Sequence, residues 1–579
     1  MINARSTPRR LTLTIIALLA IVVVFSIRLV DIQVVRAEGL NEESLGKRSV
    51  AVKTYGSRGA IVDANGIALA SSVDRFDITA SPKNVKDIKR DGVTTTVQEL
   101  IAQLAEVTGE DAATITASLA KDPESDFAFV SKLATLEVRG KVRDLNIPWV
   151  YDQVHPSRTY PLGAVGGNLV GFLGTDGPLA GLEFSYNDCL KPTDGTSTYE
   201  KSKDGVRLPG STVTTTEPID GGELRLTIDS DFQWYVQEQL ATQAQVVGAD
   251  WGTAAVVRVS DGHIMALADY PSVDPNNVDG VPNTALGSLA FSTPYEPGST
   301  FKPMTVAMLI DQGKAEITDQ MVVPGRIYFN DGHYIKDVWS HGDLNMTVAG
   351  VLMNSSNTGI SLLSDKLTKD QRYDYLTKFG VGTRTGAFPG ESTGTLPLTS
   401  EWERVRNYNI AFGQGVSATS AQMASIYQTL GNNGVRMPLT LVTGCTLPDG
   451  TVIDLPKTEG TRVVSEYAAD QTVLALETIV TKSALTKLIT IPGYRIAAKS
   501  GTAEVAEGGI YTNDRIVSLA GLVPAENPEY AVVVTLGKPD ILRSSVATAP
   551  VFKNIMTQII KTFRVEPSPT ASPDIPVSW

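Results

Sequence analysis

The sequence predicts an α+β fold behind a single membrane-spanning helix, and three features predict it. Strand patterns stand at both ends of the stretch 223–563 with helical patterns between them, so one sheet would be assembled from the two ends of one domain. The preceding stretch, 32–222, mixes a hairpin signal, a helical patch and Thr/Gly-rich ribbons, and carries no catalytic constellation. Ahead of both lies one uncharged apolar run, Leu11 to Ile27.

That run of 17 residues is at the short end of a spanning helix. Leu29-Val30 extend it past a snorkelling Arg28, giving an anchor over 11–31. Arg5, Arg9 and Arg10 predict that residues 1–10 are cytoplasmic and that everything after the span lies outside. A cleaved signal peptide is the competing reading, because Val35-Arg36-Ala37 has small residues at the right offsets. Ala37 stands ten residues beyond the run with Asp31 between, which favours an anchor. At 579 residues the chain can hold two or three domains, and its net charge of −13 argues against nucleic-acid binding. Cys189 and Cys445 are far apart and read as belonging to different domains. An oxidising exterior permits a bridge, but separate buried thiols are the expectation.

After the span, Arg58 to Ala70 reads as strand, Asn65-Gly66 turn, strand. From Val93 to Leu145 the pattern is helical: Val97, Leu100, Ile101 and Leu104 share a face, and Thr108-Gly109-Glu110 separates this helix from one ending near Ala120. Arg158 to Gly163 and Gly181-Leu182-Glu183 sit in loop-like surroundings. Thr193 to Gly222 suits exposed ribbons and a linker, with a domain boundary at Gly221-Gly222.

Beyond it, Leu224 to Ile228 reads as a strand and Phe232 to Ala241 as a helix. Gly252 to Ser260 and His263 to Asp269 form a hairpin turning at Asp261-Gly262. Near the end, Arg495 to Ala498, Ile516 to Val523 and Tyr530 to Leu536 are strands and Pro550 to Phe563 is a closing helix. The tail, 564–579, has four prolines and little to bury, and is expected to be disordered.

The reactive centre is expected at Glu296-Pro297-Gly298-Ser299-Thr300-Phe301-Lys302. A Pro-Gly turn leads into an apolar helix with Gly313 at its C-cap, so Ser299 lies at a helix start with Lys302 on the same face. Free backbone N–H groups favour a nucleophilic hydroxyl there, and a buried lysine with a lowered pKa can take its proton. The pattern S-x-x-K alone is weak, arising about twice by chance in such a chain. It recurs at Ser44-Leu45-Gly46-Lys47, without an apolar helix behind it.

Companions make the case. Ser355-Ser356-Asn357 lies 56 residues beyond Ser299 at a helix end, and Lys499-Ser500-Gly501-Thr502 lies 142 residues beyond Asn357 on a strand. Each has a decoy, Ser185-Tyr186-Asn187 and Arg384-Thr385-Gly386, but the ordered trio in its local settings is specific. His333 and His341 flank Asp337, which invites a hydrolase triad or a zinc site. Gly332 and Gly342 suggest a hairpin loop instead, and no short metal spacing occurs, so neither a metal nor a cofactor is expected.

With these motifs the chain resembles a class B penicillin-binding protein, a membrane-anchored D,D-transpeptidase of peptidoglycan synthesis, most like the division type. Arg58-Gly59, Arg158 to Gly163 and Gly181-Leu182-Glu183 resemble its non-catalytic pedestal. Tyr295 to Lys302, Phe412-Gly413-Gln414-Gly415 and Lys499 to Thr502 resemble its catalytic domain. Asp63-Ala64-Asn65-Gly66 departs from it by having alanine where arginine is usual, and Lys191-Pro192 stands near a usual glycine.

The resemblance implies an elongated, mostly β pedestal over 32–222 and a five-stranded antiparallel sheet flanked by helices in the catalytic domain. It implies Ser299 as nucleophile, Lys302 as base, Ser355 as proton relay and Asn357 as holder of the substrate amide. Lys499, Ser500, Gly501 and Thr502 would bind the terminal carboxylate, and the backbone N–H groups of Ser299 and Thr502 would form the oxyanion hole. The implied partners are D-Ala-D-Ala stem peptides, β-lactams, a membrane-embedded glycan polymerase and other divisome proteins, at the septum.

Alternatives stay open at this stage: an elongation-type transpeptidase, a D,D-carboxypeptidase, and a serine β-lactamase, whose deacylating loop Glu403 to Asn407 mimics. A penicillin-recognising sensor or divisome scaffold is the non-enzyme alternative.

Overall fold

The two-ended sheet expected from the sequence is present. In the computed structural model, which describes residues 7–579 except 91, 175, 203–207, 209, 404 and 508–509, its first component is α1 (Ser230–Val247). Asp229 caps α1 by accepting from the Phe232 N–H at 2.9 Å, and Gly248 ends it in the left-handed region at φ 65°. The hairpin of β1 (Trp251–Arg258) and β2 (Ile264–Tyr270) follows. Then come α2 (Lys302–Asp311), α3 (Val348–Met353), α4 (Asn357–Ser364), α5 (Ser420–Gly431) and α6 (Glu466–Lys482). The chain returns as β3 (Ala497–Glu507), β4 (Ile510–Val523) and β5 (Tyr530–Gly537), and closes with α7 (Ala549–Thr562).

The sheet order is β2-β1-β5-β4-β3, antiparallel throughout, and the join between early and late strands is β1 on β5, Trp251 opposite Gly537. All eight residues of β5 are buried, so both faces of the sheet are covered. Helices α1 and α7 pack on it together, while α5, buried along its length, packs on β1 and β5. This leaves β3 as an edge strand.

Two compact units form, and a single cut at residue 222 does not separate them. One comprises 1–57, 73–157 and 192–220; the other takes 58–72, 158–191 and 221–579. The segments 58–72 and 158–191, read from the sequence as pedestal, fold with the catalytic unit through a buried ion triad. Glu183 receives Arg58 at 2.7 Å and Arg158 at 2.6 Å, and Leu224 pairs in parallel with Ile61. Three of the pedestal-like motifs thus meet at one carboxylate.

In the smaller unit, Thr96 and Glu99 form a capping box for the helix Val97–Thr108, whose Leu100 and Leu104 pack with Phe76, Ile78 and Trp149. The helical reading of 93–145 needs a correction, because Ala128–Ala134 is a strand paired with Phe76 to Ala80. Among the described residues, one helix, Arg9–Val35, is long and apolar enough for single-pass anchoring.

The structure overturns two further expectations. Cys189 and Cys445 are not separate thiols but a disulfide, with Cα atoms 6.3 Å apart in the same unit. Backbone pairing brings them together: the Gly222 N–H donates to Cys189 O at 2.9 Å, and Leu224 lies opposite Cys445. The tail is ordered. Lys482 donates to Ile575 O at 2.5 Å, Thr347 Oγ1 to Pro576 O at 2.7 Å, and Ser572 Oγ to Glu477 at 2.5 Å. A Cβ on Gly350 would lie 1.9 Å from Val577 O, so only glycine lets the tail cross α3. Hydrogen bonds from side chains and backbone along its path hold the proline-rich chain, with Val565 buried and Ile575 packed against the core.

Candidate active site

The turn before Ser299 is built by close approach. Gly298 has φ 56°, and a Cβ there would sit 3.1 Å from Thr502 O. Gly413, φ 81°, accepts from the Gly298 N–H at 3.0 Å, and a Cβ on it would meet Gly298 O at 2.3 Å. A Cβ on Gly501 would meet Pro297 O at 2.9 Å. The glycines of the Phe412-to-Gly415 and Lys499-to-Thr502 motifs therefore let two other segments lie against the Ser299 turn. Residues Gly298–Phe301 form a 3-10 turn that runs into α2, where every residue from Lys302 to Ile310 is buried.

From this helix Lys302 reaches the junction between α3 and α4. Its amine donates to Ser355 O at 2.5 Å and to Asn357 Oδ1 at 2.8 Å, and stands 3.4 Å from Ser355 Oγ. Lys499, on the edge strand β3, brings its amine 2.9 Å from Ser355 Oγ and 3.0 Å from Ser500 O. Ser355 itself is in the left-handed region at φ 57°, uncommon for a residue other than glycine. Ser299 is half-buried, and none of the hydrogen bonds among the described residues involves its hydroxyl. The structure thus brings Lys302, Ser355, Asn357 and Lys499 into one bonded cluster, with Lys302 three residues after Ser299. On β3 the alternation leaves Lys499 and Gly501 buried, Ser500 half-buried and Thr502 exposed.

Electrostatics sets the charge on the two lysines. Burial, reinforced by the nearby Lys499, holds Lys302 well below the usual lysine range, against an opposing pull from Asp337. Burial brings Lys499 down to about 7. A neutral Lys302 amine has two N–H groups, both used on Ser355 O and Asn357 Oδ1, which leaves its lone pair free to accept a proton.

The sequence reading missed the part played by Asp337, weighed there only as a hydrolase or zinc residue. It accepts from Ser356 Oγ at 2.6 Å, from the Thr358 N–H at 3.1 Å and from the Asn357 N–H. No local spacing signals this, because the contact is tertiary. His333 sits by the turn of the hairpin Arg326–Tyr328 and Tyr334–Lys336, as its neighbouring glycine suggested. The mimic of a deacylating loop does not join the cluster: Glu403 is exposed, and Asn407 is held by Arg372.

Both parts of the chain match known proteins. Residues 252–557 match the penicillin-binding protein transpeptidase domain, and 53–178 the penicillin-binding protein dimerisation domain. The penicillin-binding protein PbpB of Mycolicibacterium smegmatis is 31% identical over 97% of this chain and 91% of its own length. The peptidoglycan D,D-transpeptidase FtsI of Escherichia coli is 30% identical over 94% and 90%. The crystal structure of penicillin-binding protein 3 from Mycobacterium tuberculosis with aztreonam is similar at a TM-score of 0.70 and 27% identity, covering 91% of this chain and all of that one. A peptidoglycan synthetase from Bifidobacterium adolescentis is similar at 0.73 and 31%, over 92% and 100%.

Proposed function

This chain belongs to the penicillin-binding protein transpeptidase family, in the class B form with a dimerisation domain ahead of the catalytic one, and we propose that it cross-links peptidoglycan as a D,D-transpeptidase of cell division. The observation that carries the reading is the convergence of three distant segments on Ser355, with the amines of Lys302 and Lys499 both within reach of its hydroxyl.

Ser299 Oγ attacks the carbonyl between the two terminal D-alanines, and its proton passes to the lone pair of Lys302. The carbonyl oxygen takes up negative charge between the backbone N–H groups of Ser299 and Thr502. The close packing of Gly298 on Thr502 O supports that placement. The C–N bond breaks, and the leaving D-alanine nitrogen receives its proton through Ser355, whose hydroxyl links the two amines. Asn357 holds the substrate amide. Lys499, Ser500 and Thr502 bind the carboxylate on the open edge of β3, where an extended peptide can add as a strand, with Gly501 keeping that edge close to the Ser299 turn. An amino group from a neighbouring stem peptide then attacks the acyl ester, forms the cross-link and returns Ser299. A β-lactam enters by the same route, but its severed nitrogen stays tethered, so the ester persists.

The N-terminal helix serves as a single-pass anchor with the catalytic unit outside, at the septum beside a glycan polymerase and other divisome proteins. Arg9-Arg10 ahead of the apolar run support this orientation. Labelling by a fluorescent penicillin tests the centre. Ser299→Ala should abolish it and Ser44→Ala should leave it intact; persistent labelling of Ser299→Ala would overturn the assignment.

A further inference from the structure

Ser355 holds an uncommon left-handed conformation between two helices, and such positions persist only where the surroundings fix them. The fixing group is one carboxylate. Asp337, fully buried, binds three successive residues after Ser355: the Ser356 hydroxyl, the Asn357 N–H, and both the N–H and the hydroxyl of Thr358, at 3.1 and 3.3 Å. Ser356 also accepts from the Gly359 N–H at 2.9 Å, which starts α4.

Behind Asp337 stands His341, itself buried and stacked on Trp339. Its Nε2 is 3.0 Å from Asp337 Oδ2 and its Nδ1 is 2.6 Å from Gly342 O. Both ring nitrogens face oxygen acceptors, and only the imidazolium donates at both.

We infer that Asp337, clamped by a cationic His341, is a positioning residue of the transpeptidase site: it fixes the Ser355–Asn357 turn against Lys302 and supplies the negative charge that faces the Lys302 amine. The charged groups facing that amine are Lys499 from β3 and Asp337 from the loop after the strand Tyr334–Lys336. Those facing Asp337 are His341 and, across the site, Lys302. The inference deepens the proposed role of Lys302 as base and rests on it.

The two partners give opposite signs. Asp337→Asn removes an anion near the amine, which makes its protonated form harder to keep, so the acid limb of the acylation profile should move to lower pH. His341→Gln removes a cation from behind the carboxylate, so the same limb should move to higher pH. Both variants should acylate more slowly than the parent, Asp337→Asn by about 10-fold or more, because Ser355 and Asn357 lose their register.

The experiment measures acylation of the full-length protein in detergent by a chromogenic β-lactam across pH, with thermal melts to establish folding. Slower acylation with opposed limb shifts supports the inference. Slower acylation with unmoved limbs would reduce Asp337 to a structural residue and overturn it, as would parental rates. Should Asp337→Asn fail to fold, the direction of the His341→Gln shift decides alone. If Ser299→Ala still labels, the site assignment itself fails; if it is silent and both variants behave as the parent, only this inference fails.

Discussion

The amine of Lys499 lies 2.9 Å from the hydroxyl of Ser355, 144 residues earlier in the chain, and the amine of Lys302 lies 3.4 Å from the same hydroxyl. One oxygen therefore touches both buried amines. A hydroxyl with one proton and two lone pairs can pass a proton between them, which is what departure of an amine from a tetrahedral intermediate requires.

Removing that hydroxyl should slow acylation without disturbing the fold. Glycine tolerates φ 57° better than any residue with a Cβ, so Ser355→Gly deletes the relay while sparing the backbone. Acylation should fall by about 10²- to 10⁴-fold. Stopped-flow rates together with thermal melts check this; a parental rate in a folded variant excludes the relay.

Lys499 should cost stability in return for function. Its folded pKa, about 7, lies below the ordinary 10.5, so between those values the unfolded chain binds more protons than the native one and stability rises with pH. The penalty is fully present below about pH 7 and is relieved as pH approaches 10.5. Each unit of displacement is worth about 1.4 kcal/mol. Lys499→Met should therefore be inactive yet more stable at neutral pH by a few kcal/mol, with the gain shrinking in alkali. Denaturant melts at several pH values read this directly, and a pH-independent difference would refute it.

The Cys189–Cys445 bridge closes a long loop, its ends 256 positions apart, so its loss should be felt mainly through a freer unfolded chain. Cys189→Ala/Cys445→Ala, or reduction of the parent, should lower stability by about 2–5 kcal/mol. Alkylation of the native protein should label neither cysteine until a reductant is added. Free labelling without reductant would show the bridge absent.

What the sequence revealed and what it hid divide along physical lines. The two-ended sheet, the helix behind Ser299 and the three motifs were legible because each rests on local periodicity or on reactive side chains in order. The bridge was not, because its geometry depends on Gly222 and Leu224 pairing with the segments that carry Cys189 and Cys445. The tail misled because composition counts apolar burial, whereas Thr347, Lys482 and Gly350 hold it through hydrogen bonds and a missing Cβ. Asp337 was visible as a residue but not as a partner of Asn357, 20 positions away.

The lifetime of the acyl-enzyme separates transfer from hydrolysis. A β-lactamase needs a carboxylate that activates water beside the ester. Here Glu403 faces solvent, and Asn407 is committed through both its backbone and side-chain oxygens to Arg372. The carboxylate that faces the Lys302 amine, Asp337, is saturated by His341, Ser356, Asn357 and Thr358. Neither Glu403 nor Asp337 is therefore free to deprotonate water. The penicilloyl adduct on Ser299 should thus persist for hours, and Glu403→Ala should leave its lifetime unchanged. Intact-mass spectra over time decide the matter: return of free enzyme within minutes, slowed in Glu403→Ala, would make this a hydrolase whose loop the exposed position of Glu403 conceals.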